Sequence, residues 1–363
     1  MQRRNFLKTL GAGAAGVAAA PFVATTAKAQ ETITWDMVTS WPRNFPALGT
    51  GANEFAQRVE ALSGGRMRIR VHGAGELVPA MEVFDAVAAG TAEMGHSAAY
   101  YWRGKVAASQ FFTAVPFGMN TTETNAWLYH GGGQELWDEI YAKHNLKPFA
   151  VGNTGTQMAG WFKKEINSLS DMQGIRLRLP GLAGEAMNRI GVTTVNMPAS
   201  EIFTSLQTGV LDAADWVGPY NDMALGLYQV ADYYYTSVWN EPSAVLEGTV
   251  NLDAWNALPD DLKAVVREAA KSANLSMISE FTYRNAQALE TLVEEHGVEL
   301  RTFPEDVMAA LYEASQEVIA EQVESDPDSA RVYESYLAFQ KLVRPSSDSG
   351  EYAYLKAREA VGA

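Results

Sequence analysis

Gly174-Ile175-Arg176-Leu177-Arg178-Leu179-Pro180-Gly181 is the stretch that orders the rest of the chain. Hydrophobic and basic residues alternate in it with the period of a strand, so Ile175, Leu177 and Leu179 face one side and Arg176 and Arg178 the other. Pro180 and Gly181 stop that strand and leave Arg178 at its end, beside a turn. Ligands of α/β proteins collect at strand ends, and a guanidinium there can hold a carboxylate by two parallel hydrogen bonds. Taken alone the stretch reads as a solvated edge strand, and its surroundings change that balance.

Outward from it, strand and helix patterns alternate. Strands are expected at 31–38, 67–72, 146–152, 158–163, 192–196, 234–239, 244–252 and 298–303. Helices are expected at 52–62, 79–89, 122–143 (broken at Gly131-Gly132-Gly133), 183–190 and 198–208. Residues 259–295 form one long helical pattern, expected to bend or break once near Asn274, and the chain from Glu305 onward is mostly helical. This alternation predicts an α/β architecture. An internal echo adds to it: Glu82-Val83-Phe84-x-x-Val87-x-x-Gly90-x-x-Glu93 matches Glu201-Ile202-Phe203-x-x-Leu206-x-x-Gly209-x-x-Asp212 at an offset of 119. An arginine-paired strand precedes each copy, Arg68-Ile69-Arg70 and Arg176-Leu177-Arg178. Two related units predict two similar lobes with a ligand cleft between them.

Bulk properties narrow the function. The chain has 363 residues, enough for two cored lobes, and no cysteine, which excludes disulfides and thiolate chemistry. Formal net charge is -15, and removing Arg3, Arg4, Lys8 and Lys28 of residues 1–29 gives -15 - 4 = -19 for the remainder. So acidic a surface argues against nucleic acid and anionic membranes as partners. Arg3-Arg4-Asn5-Phe6-Leu7-Lys8, a small-residue apolar run from Leu10 to Ala20, and Ala27-Lys28-Ala29 before Gln30 resemble a twin-arginine export signal, with Gln2 where Ser or Thr is usual. The mature protein is expected in the periplasm.

Most catalytic chemistry finds no support. Gly95-His96-Ser97-Ala98-Ala99 lacks the final glycine of a nucleophile elbow, and His130-Gly131-Gly132-Gly133 follows it where an oxyanion loop should precede it. The five histidines form no i, i+4 pair, and neither a Walker loop nor a dinucleotide fingerprint is present. Oxygen donors remain: Asp215, Glu241, Gln157 in a Gly/Thr loop and the Trp216 carbonyl, hard ligands suited to Ca²⁺ or Na⁺.

Gly174-x-x-x-Arg178 followed by Met197-Pro198-Ala199-Ser200-Glu201-Ile202-Phe203-Thr204-Ser205-Leu206-Gln207-Thr208-Gly209-Val210-Leu211-Asp212 resembles the solute-binding proteins of TRAP transporters (DctP type). Asp215-Trp216-Val217-Gly218-Pro219-Tyr220-Asn221-Asp222 and Trp239-Asn240-Glu241-Pro242 are similar to the branch that binds 2-oxo acids, or lactate, with a metal ion. The resemblance implies a two-lobed periplasmic binding protein fold with a long connecting helix and a C-terminal helical tail. It implies a receptor that hands an organic acid to a sodium-driven membrane permease. Lobe I would comprise residues 30–152 and 243–285, lobe II residues 153–242 and 286–327, and the tail residues 328–363. Carried over, Arg178 is the carboxylate clamp and Gln157 binds substrate and metal. The Trp216 carbonyl, Asp215 and Glu241 complete the metal shell, and Tyr100, Tyr101 and Asn153 are candidates for the pocket wall. Asp215 stands where this branch often has Glu, which bears on metal distance.

Charge counting favours one ion. A substrate carboxylate, Asp215 and Glu241 give three negatives against the single positive of Arg178. A divalent cation neutralises the remainder and a monovalent one only half of it, so Ca²⁺ is expected over Na⁺. The branch also forms dimers by swapping a C-terminal helix, for which the helical stretch Asp328–Ala360 is suited. The alternatives are a receptor for a dicarboxylate or sugar acid, and a metal-dependent periplasmic enzyme.

Overall fold

The computed structural model describes residues 32–236 and 238–362, so the expected export signal at residues 1–29 lies outside the described residues. In chain order its strands are β1 (Ile33–Thr39), β2 (Met67–His72), β3 (Met94–Ser97), β4 (Leu146–Asn153), β5 (Gly160–Phe162) and β6 (Arg176–Arg178). β7 (Thr193–Val195), β8 (Ala213–Ala214), β9 (Tyr233–Tyr235), β10 (Val245–Asn251) and β11 (Glu299–Arg301) follow. They form two sheets, ordered β2-β1-β3-β10-β4 and β11-β9-β5-β8-β6-β7.

Read from opposite ends, the two sheets share one plan. Each begins with a strand–helix–strand–helix–strand unit: β1, Leu48–Leu62, β2, Val83–Ala88, β3 in one, and β6, Gly181–Arg189, β7, Ala199–Gln207, β8 in the other. β1 runs parallel to β2 and β3, and β6 parallel to β7 and β8. The sequence echo has a physical basis here. Gly90 and Gly209 follow the ends of equivalent helices with φ of 74° and 77°, a left-handed turn that glycine adopts without a Cβ penalty. Glu93 then accepts the amide of Asp36 at 2.7 Å, and Asp212 accepts that of Arg176 at 2.9 Å, so each acid seals the same point of its sheet.

The arginine part of the echo does not survive. β2 is an edge strand equivalent to β7, so Arg68-Ile69-Arg70 is no counterpart of the Arg178 strand. The counterpart is β1: Val38 pairs with Gly95 as Arg178 pairs with Ala214, which puts Val38 in Arg178's place. Similar composition had stood in for register. Arg68 and Arg70 are surface residues paired with Glu60 and Asp36, and Arg176 forks onto Asp212 at 2.7 and 2.8 Å.

The helix Asp260–Glu294 runs 35 residues unbroken, so of the bend or break expected near Asn274 the break is absent. Asn274 is buried, and its Nδ2 donates to Asn125 Oδ1 and Tyr129 Oη at 2.9 Å. A polar side chain engaged elsewhere cannot compete with its own backbone. The helix is about 52 Å long at 1.5 Å per residue. Its first half, with Leu262, Val266 and Ala273, packs into the core of the first sheet. Met277, Phe281 and Leu292 enter a second cluster with Trp161, Ile202 and Tyr234.

The C-terminal helices Glu305–Ser325 and Pro327–Ser347 fold back over the chain. The first packs on Gly181–Arg189. The second lies against Thr121–His130 and Gly133–Ala142, with Val332 and Tyr336 buried and the Met119 amide donating to Tyr336 Oη at 2.6 Å. Beyond Ser347 no described residue is buried. No helix among the described residues is long and apolar enough to cross a membrane.

One core residue breaks the apolar pattern. Glu247 on β10 is 1% exposed, accepts from Trp102 Nε1 and Tyr141 Oη, and has no cation beside it. Burial pushes its carboxyl up to about 7. Because the folded value lies above the ordinary one, the native state holds this proton more tightly, and stability falls as pH rises through the interval between them. Glu247→Gln should therefore gain on the order of 2–3 kcal/mol over the parent at pH 8 and little at pH 4.5, measured by urea unfolding at both values. An equal difference at both would refute this.

Candidate functional site

The chain passes between the sheets twice in the middle of the sequence, from β4 to β5 and from β9 back to β10. The two crossovers run side by side: the Thr154 amide donates to the Ala244 carbonyl at 3.0 Å and the Gln157 amide to the Glu241 carbonyl at 3.1 Å. Gln157 and Glu241 therefore meet although 84 residues separate them. The end of β8 brings Asp215 and Trp216 to the same place, because the Met158 amide donates to the Val217 carbonyl at 3.2 Å. From the first sheet, the turn Ala99–Trp102 after β3 supplies Tyr100 and Tyr101.

Arg178 ends β6 as the alternation predicts, and it is fully buried. Its Nη1 donates to the Asp215 carbonyl at 2.8 Å, Nη2 to Tyr101 Oη at 3.1 Å and Nε to the Met197 carbonyl at 3.4 Å. Its guanidinium carbon lies 4.8 Å from the centre of the Trp216 ring. A guanidinium has five N–H groups, and three are spent on these bonds. One remains on each terminal nitrogen, the pair needed to hold a carboxylate.

The oxygens around it are unusual. Asp215 and Glu241 are each 1% exposed, and Arg178 is the cation that acts on both. Burial, then repulsion from Glu241, pushes the Asp215 carboxyl far above the usual range, and burial raises Glu241 as well, against the pull of Arg178. Gln157 donates from Nε2 to Thr154 Oγ1 at 2.9 Å, which leaves its Oε1 free. Gln157 Oε1, Asp215 Oδ2, Glu241 Oε2 and Asn240 Oδ1 are all buried without a donor. Buried acceptors left unpaired are costly, and a set of hard oxygens of this kind fits a bound cation. Among the described residues no group of three or more His, Cys, Asp or Glu side chains forms a metal site. A cation here would use two carboxylates with amide and main-chain oxygens. Trp41, Tyr100, Tyr101, Thr154, Gln157 and Trp216 line a small cavity that shares Gln157 and Trp216 with this cluster.

Of the residues singled out in the sequence, Arg178, Gln157, Asp215, Trp216, Glu241, Tyr100 and Tyr101 gather here. Asn153 is fully buried, with its side chain engaged in the crossovers. Its Nδ2 donates to Ser243 Oγ at 2.9 Å and its Oδ1 accepts the Gly155 amide at 2.8 Å, so it braces the crossovers. Two residues that sequence reasoning passed over belong to the site. Asn240 Nδ2 donates to Asp215 Oδ1 at 3.3 Å, and Trp41 stands edge-on to Trp216 at 6.2 Å. Asn240 is the sequence neighbour of Glu241, whereas nothing in the sequence marks Trp41. In the first hydrolase-like fragment Ser97 Oγ bonds to Ser40 Oγ at 2.7 Å and His96 Nδ1 accepts from Trp41 Nε1 at 2.6 Å, so the two side chains are engaged with the segment after β1.

The family model of DctP, bacterial extracellular solute-binding protein, family 7, matches residues 37–326. The chain belongs to this family. A monocarboxylate 2-oxoacid-binding periplasmic protein of Nostoc sp. is 41% identical over 360 residues, covering 98% of each chain. A TRAP periplasmic solute binding protein from Pseudoalteromonas atlantica, solved with bound sodium and pyruvate, is 40% identical with a TM-score of 0.87, covering 90% of this chain and 99% of that one. Another from Colwellia psychrerythraea, with bound calcium and pyruvate, is 38% identical with a TM-score of 0.88, covering 90% and 100%.

The electrostatics give a test that needs no substrate. Neutralising one of two mutually repelling buried carboxylates, by Asp215→Asn or Glu241→Gln, should stabilise the chelator-treated protein by on the order of 1–3 kcal/mol. The same changes should abolish the stabilisation by Ca²⁺ that is expected of the parent, followed by thermal unfolding with and without the ion. Variants less stable than the parent in chelator would contradict the geometry.

Proposed function

We propose that this protein is the periplasmic receptor of a TRAP transporter, and that it captures a short 2-oxo or 2-hydroxy monocarboxylate, such as pyruvate, with a bound cation. One observation carries the reading: a buried guanidinium with two unspent N–H groups lies beside four buried oxygens without donors. Arg178 grips the carboxylate. Gln157, Asp215, the Trp216 carbonyl and Glu241 hold the cation, which supplies a positive point for the ligand's 2-oxygen. The substrate completes a neutral set with Ca²⁺ and leaves one negative charge with Na⁺, so Ca²⁺ is the favoured ion.

The cavity walls argue for a short tail. Trp41, Tyr100, Tyr101 and Trp216 offer aromatic faces, and among the described residues Arg178 is the only cation at the site. A dicarboxylate or sugar acid would bury further charge or hydroxyls without partners. The two sheets are the cores of two lobes, 30–152 with 243–285 and 153–242 with 286–327, which close on the ligand about the crossovers. The receptor releases its ligand unchanged to the permease. Residues 1–29 act as a twin-arginine-like export signal.

The distal tail supports a homodimer. Tyr352, at the end of the π-helical turn Asp348–Tyr352, is 52% exposed, and Tyr354 and Leu355 are 62% and 43% exposed on the helix Ala353–Ala360, which buries no residue. Exchange of this segment with a second copy would cover such an apolar face. Light scattering on the exported protein should give a dimer, and truncation after Ser347 a monomer.

Calorimetry with pyruvate, lactate, branched 2-oxo acids and dicarboxylates, with Ca²⁺ and after EDTA, tests the reading. We expect monocarboxylate binding that EDTA weakens at least tenfold. Affinity indifferent to EDTA, or tightest for a dicarboxylate, would reject it. Arg178→Lys should lose about 100-fold or more in affinity, because a point charge cannot replace the fork; binding within a few-fold of the parent would refute the clamp.

A further inference from the structure

Asp222 belongs to a motif that the sequence singled out and the binding site leaves unused. It lies in the helix Pro219–Leu225, is 1% exposed, and no cation pairs with it. Its carboxylate nevertheless accepts four hydrogen bonds. Oδ1 takes the Val217 and Gly218 amides, both at 3.1 Å, and Oδ2 takes Trp161 Nε1 at 3.0 Å and Tyr234 Oη at 2.7 Å. Trp161 on β5 and Tyr234 on β9 are paired across the sheet and stacked with centroids 4.0 Å apart. Asp222 is thus anchored to rigid rings at one oxygen and holds a two-residue turn with the other.

The Val217 N–H and the Trp216 carbonyl belong to one planar peptide unit and point in opposite directions. Fixing the first aims the second away from Asp222. On the far side, the Met158 amide on the Val217 carbonyl ties the same turn to the crossover that carries Gln157. We infer that Asp222 is a positioning residue for the cation site, setting the direction of the Trp216 carbonyl before any ion arrives. The inference rests on the metal reading above, with the Trp216 carbonyl as a ligand.

Asn at this position cannot do both jobs. The one amide oxygen accepts either from the backbone pair or from the rings, and the –NH₂ then faces an N–H donor, backbone or Trp161 Nε1, that cannot reverse. Asp222→Asn should weaken Ca²⁺ binding to the chelator-stripped full chain at least tenfold by calorimetry, and speed hydrogen exchange at Val217 and Gly218. Tyr234→Phe removes one ring donor and leaves Oδ1 in place, so its Ca²⁺ affinity should stay within threefold of the parent even if its stability falls. In the parent, both amides should be protected equally with and without Ca²⁺, a measurement that holds even if Asp222→Asn does not fold. Undiminished Ca²⁺ binding by Asp222→Asn, or amides protected only once Ca²⁺ is added, would overturn the positioning role alone. A parent that binds neither Ca²⁺ nor Na⁺ would overturn the metal site and this role with it.

Discussion

Two carboxylates shut away from water opposite one guanidinium are the constraint on which this molecule turns. Neither Asp215 nor Glu241 is stable as an isolated buried charge. The fold spends three sequence-distant segments on bringing them together: the end of β8 and both crossovers between the sheets. Such an arrangement lowers the stability of the empty protein and makes sense only where something positive completes it. The unpaired oxygens of Gln157 and Asn240 point the same way, because a core built for stability alone would have given them donors.

The doubled plan shows how a site grows on one copy of a repeated unit. Both units share the left-handed glycine after the helix and the acid that seals the neighbouring strand, so these features serve the fold. The functional residues are not shared. Arg178 has Val38 as its counterpart, and at the offset of 119 Asp215 falls opposite His96, which is occupied with Trp41. The second unit carries Arg178 and, at its end, Asp215, while the first and the turn after it supply Trp41, Tyr100 and Tyr101.

Much of this was legible in the sequence. The alternation ending at Pro180 placed Arg178 correctly, since a local period and a local stop need no tertiary knowledge. Convergence of Gln157 with Glu241 could not be read this way. It depends on two crossovers hydrogen-bonding side by side, and only the family resemblance brought those residues together beforehand. Asp222 was visible within its motif, yet nothing marks an acid as the holder of a peptide plane until its four donors are seen. Arg68 and Arg70 misled because composition repeats more readily than register. Asn274 misled because an asparagine's intent depends on neighbours, here Asn125 and Tyr129, some 150 positions away.

The crossovers have a mechanical consequence. In the closure proposed above, the axis runs through the two crossovers that carry Gln157 and Glu241, with the helix Asp260–Glu294 as a third connection between the sheets. Atoms near an axis travel least and atoms at the rim travel furthest, so a shift of a few tenths of an ångström at these ligands is geared up with distance. A contact such as Arg103 with Glu185, which links the turn after β3 to the helix after β6, lies out along that lever. On that proposal the molecule would be loaded at its fulcrum and read at its edges.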